Sequence, residues 1–322
     1  MKCTNKNPIK LLCLLCIAAL FMTMGCGNDQ EVISNAYSLY DTTSADSGQF
    51  FAESFCVTEN MDFGTDQVDS KYAEGAGVFN LSTKDVTYSQ NLFGKLYPAS
   101  TTKILTAYII IKYGNLDDTV TVSKEAVDNM ADSSKCGISE GDVLTVRDLL
   151  YGLMLVSGND AANALAEYYS GSVEAFAEEM NKEALSLGAT ASHFVNANGL
   201  PDEEHYTTIY DMYLIMQEAV KLQEFVNIVH TDNYDASYTD ANGNTVNRQW
   251  RNTNRYINGD TKAPDGITVI GGKTGTTNAA GYCLVLYSTN QKGEEIISIV
   301  FKSDGRSNLY MLMNQILSSF AN

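Results

Sequence analysis

Three short segments of this chain carry side chains that can do covalent chemistry together. The first is Ser100-Thr101-Thr102-Lys103, preceded by Pro98-Ala99 and followed by an apolar run that begins Ile104-Leu105. A serine that opens a helix with a lysine three residues on puts a hydroxyl and an amine on one face, within contact range. Serine is a weak nucleophile at neutral pH, and a neighbouring amine takes its proton once burial depresses the lysine pKa. The backbone N–H at such a helix start can also face a developing oxyanion. The second segment is Ser157-Gly158-Asn159, after an apolar stretch ending Met154-Leu155-Val156. It offers a hydroxyl to relay a proton and an amide to hold a peptide. The third is Lys273-Thr274-Gly275, with Thr276 next. An exposed ammonium beside a strand edge binds a carboxylate while the strand pairs with an extended peptide, and Gly275 allows close approach of a substrate backbone. Taken singly, each segment is also an ordinary helix cap or turn.

Two other patterns point elsewhere. Gly137-Ile138-Ser139-Glu140-Gly141 matches the G-x-S-x-G turn of serine hydrolases, with His193, His205 and His230 as possible bases. That motif needs a buried strand before it. Here Asp132-Ser133-Ser134-Lys135 precedes it, so Ser139 reads as a loop residue. Gly272-Lys273-Thr274 resembles the end of a phosphate loop, but Ile267 stands where that loop needs its first glycine. No H-E-x-x-H segment is present, and Cys56, Cys136 and Cys283 are too widely spaced to form a C-x-x-C pair, so no metal or other cofactor is expected.

The elements that must position these residues follow from periodicity. Gly77–Leu81 and Val86–Tyr88 read as strands joined at Ser82-Thr83-Lys84-Asp85. Ile104–Tyr113 reads as a buried helix stopped by Gly114-Asn115. Val146–Leu155, Asp160–Tyr169, Val173–Leu187 and Tyr210–Leu222 follow as helices; in the third, Phe176, Met180 and Ala184 share a face. Asp240-Ala241-Asn242-Gly243 marks a hairpin. Thr268–Ile270, Tyr282–Tyr287 and Glu295–Phe301 read as strands, and Asn308–Phe320 as a closing helix. The expected fold class is therefore α+β, with one antiparallel sheet built from both termini, flanked by helices, and a central helical lobe.

The chain has 322 residues, 44% of them hydrophobic and 19% charged, which suits a folded body rather than a disordered one. Its net charge of -18 argues against nucleic acid as a partner. The charge is uneven: Lys2, Lys6 and Lys10 open the chain, with no acid before Cys26. The apolar run Leu11–Met22 is too short to span a bilayer, which takes ~20 residues. Residues 1–25 are read as an export signal. Met22-Thr23-Met24-Gly25-Cys26 resembles a lipobox, so Cys26 is the expected lipidation site and the outer face of the cytoplasmic membrane the expected location. Residues 26–56 read as a solvated tether and 57–322 as the catalytic domain. Of the remaining cysteines, Cys56, Cys136 and Cys283, one pair is free to form a disulfide.

In order and spacing, the three reactive segments resemble the penicillin-binding serine acyltransferases. The resemblance extends to Pro98–Thr106, Leu155–Ala162, Phe194–Leu200, His205-Tyr206-Thr207-Thr208 with Asp211, and Gly272–Leu284. Together these are similar to the serine D-alanyl-D-alanine carboxypeptidases of peptidase family S11, over roughly residues 57 to 320. The resemblance implies a β-lactamase/transpeptidase-like fold. It implies Ser100 as nucleophile, Lys103 as its base and Ser157 as proton relay. Asn159, Lys273, Thr274, Gly275 and Thr276 become substrate-binding residues, with the N–H groups of Ser100 and Thr276 as oxyanion donors. Peptidoglycan stem peptides would be the substrates and β-lactams the inhibitors. The chain departs from the family in carrying Ala197-Asn198 where Pro-His is usual, and no C-terminal β domain is expected after Asn322. Three alternatives share the site: a D,D-endopeptidase, a class A-like β-lactamase, and a non-catalytic penicillin- or wall-binding protein. The β-lactamase would need a glutamate where Ala177 opens Ala177-Glu178-Glu179-Met180-Asn181.

Overall fold

The computed structural model describes residues 51–128 and 133–322. The export segment, Cys26 and the tether up to residue 50 lie outside the described residues. From Phe51 the chain is one compact unit. It begins slightly earlier than the sequence suggests: Cys56 is fully buried, and its N–H donates to the Tyr213 hydroxyl at 2.7 Å.

A five-stranded antiparallel sheet forms the base. Strands β1 (Gly75–Asn80) and β2 (Asp85–Gln90) come from the N-terminal side. Strands β7 (Thr268–Thr277), β8 (Gly281–Thr289) and β9 (Glu295–Ser303) come from the C-terminal side. The order is β2-β1-β9-β8-β7, so the termini meet where β1 pairs with β9, and β7 is left at an edge. The inner strands β8 and β9 are buried on both faces, which is why they read as apolar runs. Phe79, Val285, Ile297, Ile299 and Phe301 face the helical lobe. Val78, Leu284, Leu286 and Val300 face the closing helix α8 (Arg306–Phe320). That helix buries Leu309, Leu312, Met313, Ile316 and Leu317, a single helical stripe. Each such side chain contributes about 1.5–3 kcal/mol on full burial.

The lobe is organised around α1 (Lys103–Tyr113), which is buried from Lys103 to Ile110. A helix apolar on all sides has to be surrounded. Its neighbours include α3 (Val146–Leu155), α4 (Asn159–Ser170), α5 (Val173–Ser186), α6 (Ile209–Ala219) and α7 (Gln223–His230). Helix α3 starts at a capping box in which Thr145 and Asp148 bond each other's backbone N–H. The short helix α2 (Lys124–Val127) is capped by Ser123.

Besides the short helix α2, two features are not visible in the sequence pattern. The Asp240–Gly243 hairpin joins β5 (Asn233–Thr239) to β6 (Thr245–Arg251), as expected, but these strands belong to a second, four-stranded sheet. Its other members, β3 (Thr119–Thr121) and β4 (Val143–Thr145), are three residues each, too short to show a period of two. Helix α7 is the second, and the expected helix to Leu222 stops at Ala219.

Candidate active site

Ser100 sits in a single 3-10 turn, Ala99–Thr102, that leads directly into α1. Ala99 has φ +48°, an uncommon conformation for a residue with a Cβ. The turn is held from two sides by glycines. A Cβ at Gly199, itself at φ +86°, would lie 1.9 Å from the Ala99 carbonyl oxygen. One at Gly275 would lie 3.0 Å from both the Pro98 oxygen and the Ser100 nitrogen. Gly275 therefore admits the nucleophile's own turn.

Lys103 has no exposed surface. Its Nζ lies 3.0 Å from Ser100 Oγ, 2.6 Å from Asn159 Oδ1 and 2.6 Å from the Asn198 carbonyl oxygen. Burial, reinforced by the nearby Lys273 charge, holds its pKa well below the usual lysine value, with Asp160 opposing. A neutral amine has two N–H bonds and one lone pair. The two amide oxygens can only accept, so they take both N–H bonds, and the lone pair is left for the Ser100 O–H. Asn159 is thus engaged beneath the nucleophile through Oδ1. Asn198 contributes through its backbone, so its departure from the family's usual histidine leaves this contact unaffected.

Ser157 follows the end of α3 and has φ +62°. Its Oγ accepts from Lys273 Nζ at 3.0 Å. Lys273 lies within β7 and is 1% exposed, with a second bond to the Thr274 carbonyl at 2.9 Å. The exposed ammonium expected from sequence is instead buried, because strand β7 turns its side chain under Ser157. Burial pushes its pKa down to about 7.

Asp160 holds this half of the site together, a role that local sequence pattern does not show. It is fully buried and accepts the backbone N–H groups of Cys136, Gly137 and Ala161, each at 2.9 Å. Gly158 leaves room for it: a Cβ there would meet Asp160 Oδ1 at 2.7 Å.

The decoys fall away. Ser139 lies in an exposed loop, its N–H on Asp142 Oδ2. His193 and His230 bond backbone carbonyls. His205 is buried with its pKa pushed down to about 4. Its Nδ1 accepts from the Val195 N–H, so Nε2–H donates to Thr102 Oγ1 at 2.8 Å. Gly272-Lys273-Thr274 is inside a strand, not a phosphate-binding loop. Cys56, Cys136 and Cys283 are buried and unpaired, so no disulfide forms among them.

Ser100, Ser157, Thr274 and Thr276 open onto one cleft of about 400 Å³. Arg255 and Arg306 line it too, each over a tyrosine ring, Tyr310 and Tyr282 respectively. In a chain of net charge -18, guanidinium groups gathered at one cleft favour an anionic ligand. They lie far from the three motifs along the chain, and no spacing rule could have found them.

Residues 63–305 match the family model described as D-alanyl-D-alanine carboxypeptidase, Peptidase S11. The chain belongs to the peptidase S11 family. It is 35% identical over 236 residues to D-alanyl-D-alanine carboxypeptidase DacF of Bacillus subtilis, covering 71% of this chain and 57% of that protein. It is 35% identical over 242 residues to the D-alanyl-D-alanine carboxypeptidase of Streptomyces sp. K15, covering 72% and 81%. The crystal structure of the Streptomyces K15 DD-transpeptidase is similar at a TM-score of 0.70 and 32% identity, covering 81% of this chain and 100% of that one. The chain thus spans little more than half of the Bacillus S11 relative and most of the Streptomyces one. Its S11 fold is the penicillin-binding protein/transpeptidase type, as the sequence suggested.

An Asp160→Asn variant should lose about 2–3 kcal/mol of stability, since an amide cannot accept all three N–H groups. Urea unfolding measures this, and an unchanged midpoint would show that these three bonds do not hold the site together.

Proposed function

We propose that this protein is a serine D-alanyl-D-alanine carboxypeptidase acting on peptidoglycan stem peptides. The observation that carries the reading is the fully buried Lys103 amine, 3.0 Å from Ser100 Oγ and held by two further oxygens, so that in its neutral form the lone pair is left for Ser100. Ser100 Oγ attacks the carbonyl carbon between two terminal D-alanines, and its proton passes to Lys103 Nζ. The N–H groups of Ser100 and Thr276 stabilise the oxyanion. As the C–N bond breaks, the Ser157 hydroxyl gives its proton to the leaving amine and regains one from the lysine pair. The substrate's terminal carboxylate lies at the Thr274 end, where the buried Lys273 acts as a charge behind Ser157 and Thr274. Water then hydrolyses the acyl-enzyme and returns the proton to Ser100. β-Lactams acylate Ser100 in the same way and leave slowly.

Wild-type protein should gain one benzylpenicillin adduct by intact mass and release D-alanine from a peptide ending in D-Ala-D-Ala. Ser100→Ala should show no adduct and lose at least about a thousandfold in rate. An adduct on Ser100→Ala, or drug consumed without an adduct, would overturn the reading; the latter would indicate a β-lactamase.

The two lysines set opposite pH limbs. Lys103 must be neutral to accept a proton, and Lys273 must be charged to attract the carboxylate. Lys273, pushed down to about 7, loses its proton as pH rises, so kcat/KM should fall on the alkaline side with a midpoint near 7. A bound carboxylate favours the ammonium, so the same limb in kcat should lie at higher pH. Matching limbs in the two profiles would separate Lys273 from carboxylate binding.

We further propose that residues 1–25 are an export signal and that lipid on Cys26 holds the enzyme at the outer face of the cytoplasmic membrane. The support is the sequence: three lysines, a twelve-residue apolar run, then Gly25-Cys26. Cys26→Ser should move the protein from the membrane to the soluble fraction. Retention at wild-type levels would argue against the lipid.

A further inference from the structure

Thr253 stands between two buried asparagines in the segment after β6. Asn252 and Asn254 are 4% and 1% exposed. Asn252 Oδ1 accepts the Asn254 N–H at 2.9 Å, and its Nδ2 donates to the Thr231 carbonyl at 2.9 Å. Asn254 Oδ1 accepts the Tyr256 N–H at 3.1 Å. The Thr253 N–H itself donates to the Leu155 carbonyl at 3.0 Å, at the end of the helix that presents Ser157. Its backbone is therefore fixed to the same segment as the proposed relay. Its side chain is exposed and lines the cleft with Ser100, Ser157 and Thr274. Thr253 Oγ1 lies 2.9 Å from Thr274 Oγ1.

A hydroxyl has one hydrogen to give, and a carboxylate can only accept. When Thr274 gives its O–H to an anion, it must be the acceptor in the contact with Thr253. Lys273 cannot set that direction, because its ammonium meets the Thr274 carbonyl and not the hydroxyl. Resting on the function proposed above, we propose that Thr253 is a positioning residue for the substrate's terminal carboxylate, its hydroxyl donating to Thr274 Oγ1 so that the Thr274 O–H points at the anion. Two hydroxyls in series also polarise each other toward the negative charge.

Thr253→Val removes the O–H and keeps the shape; Thr253→Ser keeps the O–H. KM and kcat are measured on a peptide ending in D-Ala-D-Ala and on the same peptide with a C-terminal amide. For Thr253→Val, KM for the carboxylate peptide should rise about five- to tenfold with little change in kcat. The amide should be unaffected, and Thr253→Ser should behave as wild type. An unchanged KM, or equal losses on both peptides, would overturn the proposal. Should wild-type protein release no D-alanine, the proposed function fails by itself. Thr253 is then tested by acylation rates with benzylpenicillin and its methyl ester. A loss confined to the free carboxylate supports the positioning role, and equal rates or equal losses overturn it. A wild type that neither releases D-alanine nor is acylated overturns both readings.

Discussion

Burying an amine penalises its charged form, and the proposed role of Lys103 as a base depends on that penalty. The side chain has no exposed surface, and a second buried lysine adds repulsion to the loss of solvent. Two amide oxygens, from Asn159 and Asn198, fill the N–H sites that remain on the neutral amine. The lone pair then has one direction left, toward Ser100. Asp160 limits the effect, since its buried charge favours the ammonium. The site is a balance between desolvation and one carboxylate held by three backbone N–H groups.

That balance demands backbone geometry that ordinary helices and strands do not supply. Ala99 and Ser157 both have positive φ, and both lie at a turn that delivers a serine hydroxyl to the cleft. Such conformations cost about 1–3 kcal/mol each and persist only where the surroundings enforce them. Here the enforcement is close packing: Gly199 and Gly275 against the Ser100 turn, and Gly158 against Asp160 and Cys136. The five-stranded sheet supplies rigidity, because its inner strands are buried on both faces. Its edge strand β7 brings Lys273 beneath Ser157 while leaving Thr274 and Thr276 on the cleft.

Electrostatics at the cleft runs against the charge of the whole molecule. The protein is strongly acidic, yet Arg255 and Arg306 face the opening from different elements. Buried Lys273 adds to that local field without touching solvent. On the proposed function, direct recognition of an anion falls to hydroxyls and guanidinium groups at the surface, with the buried charge behind them.

The proposed catalytic residues and the main scaffold are legible along the chain. Ser100 and Lys103 are three residues apart on a helix start, so local geometry alone brings them together. The apolar runs of β8, β9 and α1 mark elements buried on all sides, and the sheet from both termini follows. Local pattern could not report what depends on distant packing. The three-residue strands β3 and β4 carry no period, and they become strands only by pairing with neighbours. Burial of Lys273, the Asn198 carbonyl on Lys103, the Cys136 and Gly137 N–H groups on Asp160 and the arginines of the cleft all join residues from separate parts of the chain. These contacts exist only in the folded molecule, because burial and hydrogen-bond direction are properties of the assembled neighbours, not of the side chain that they act on.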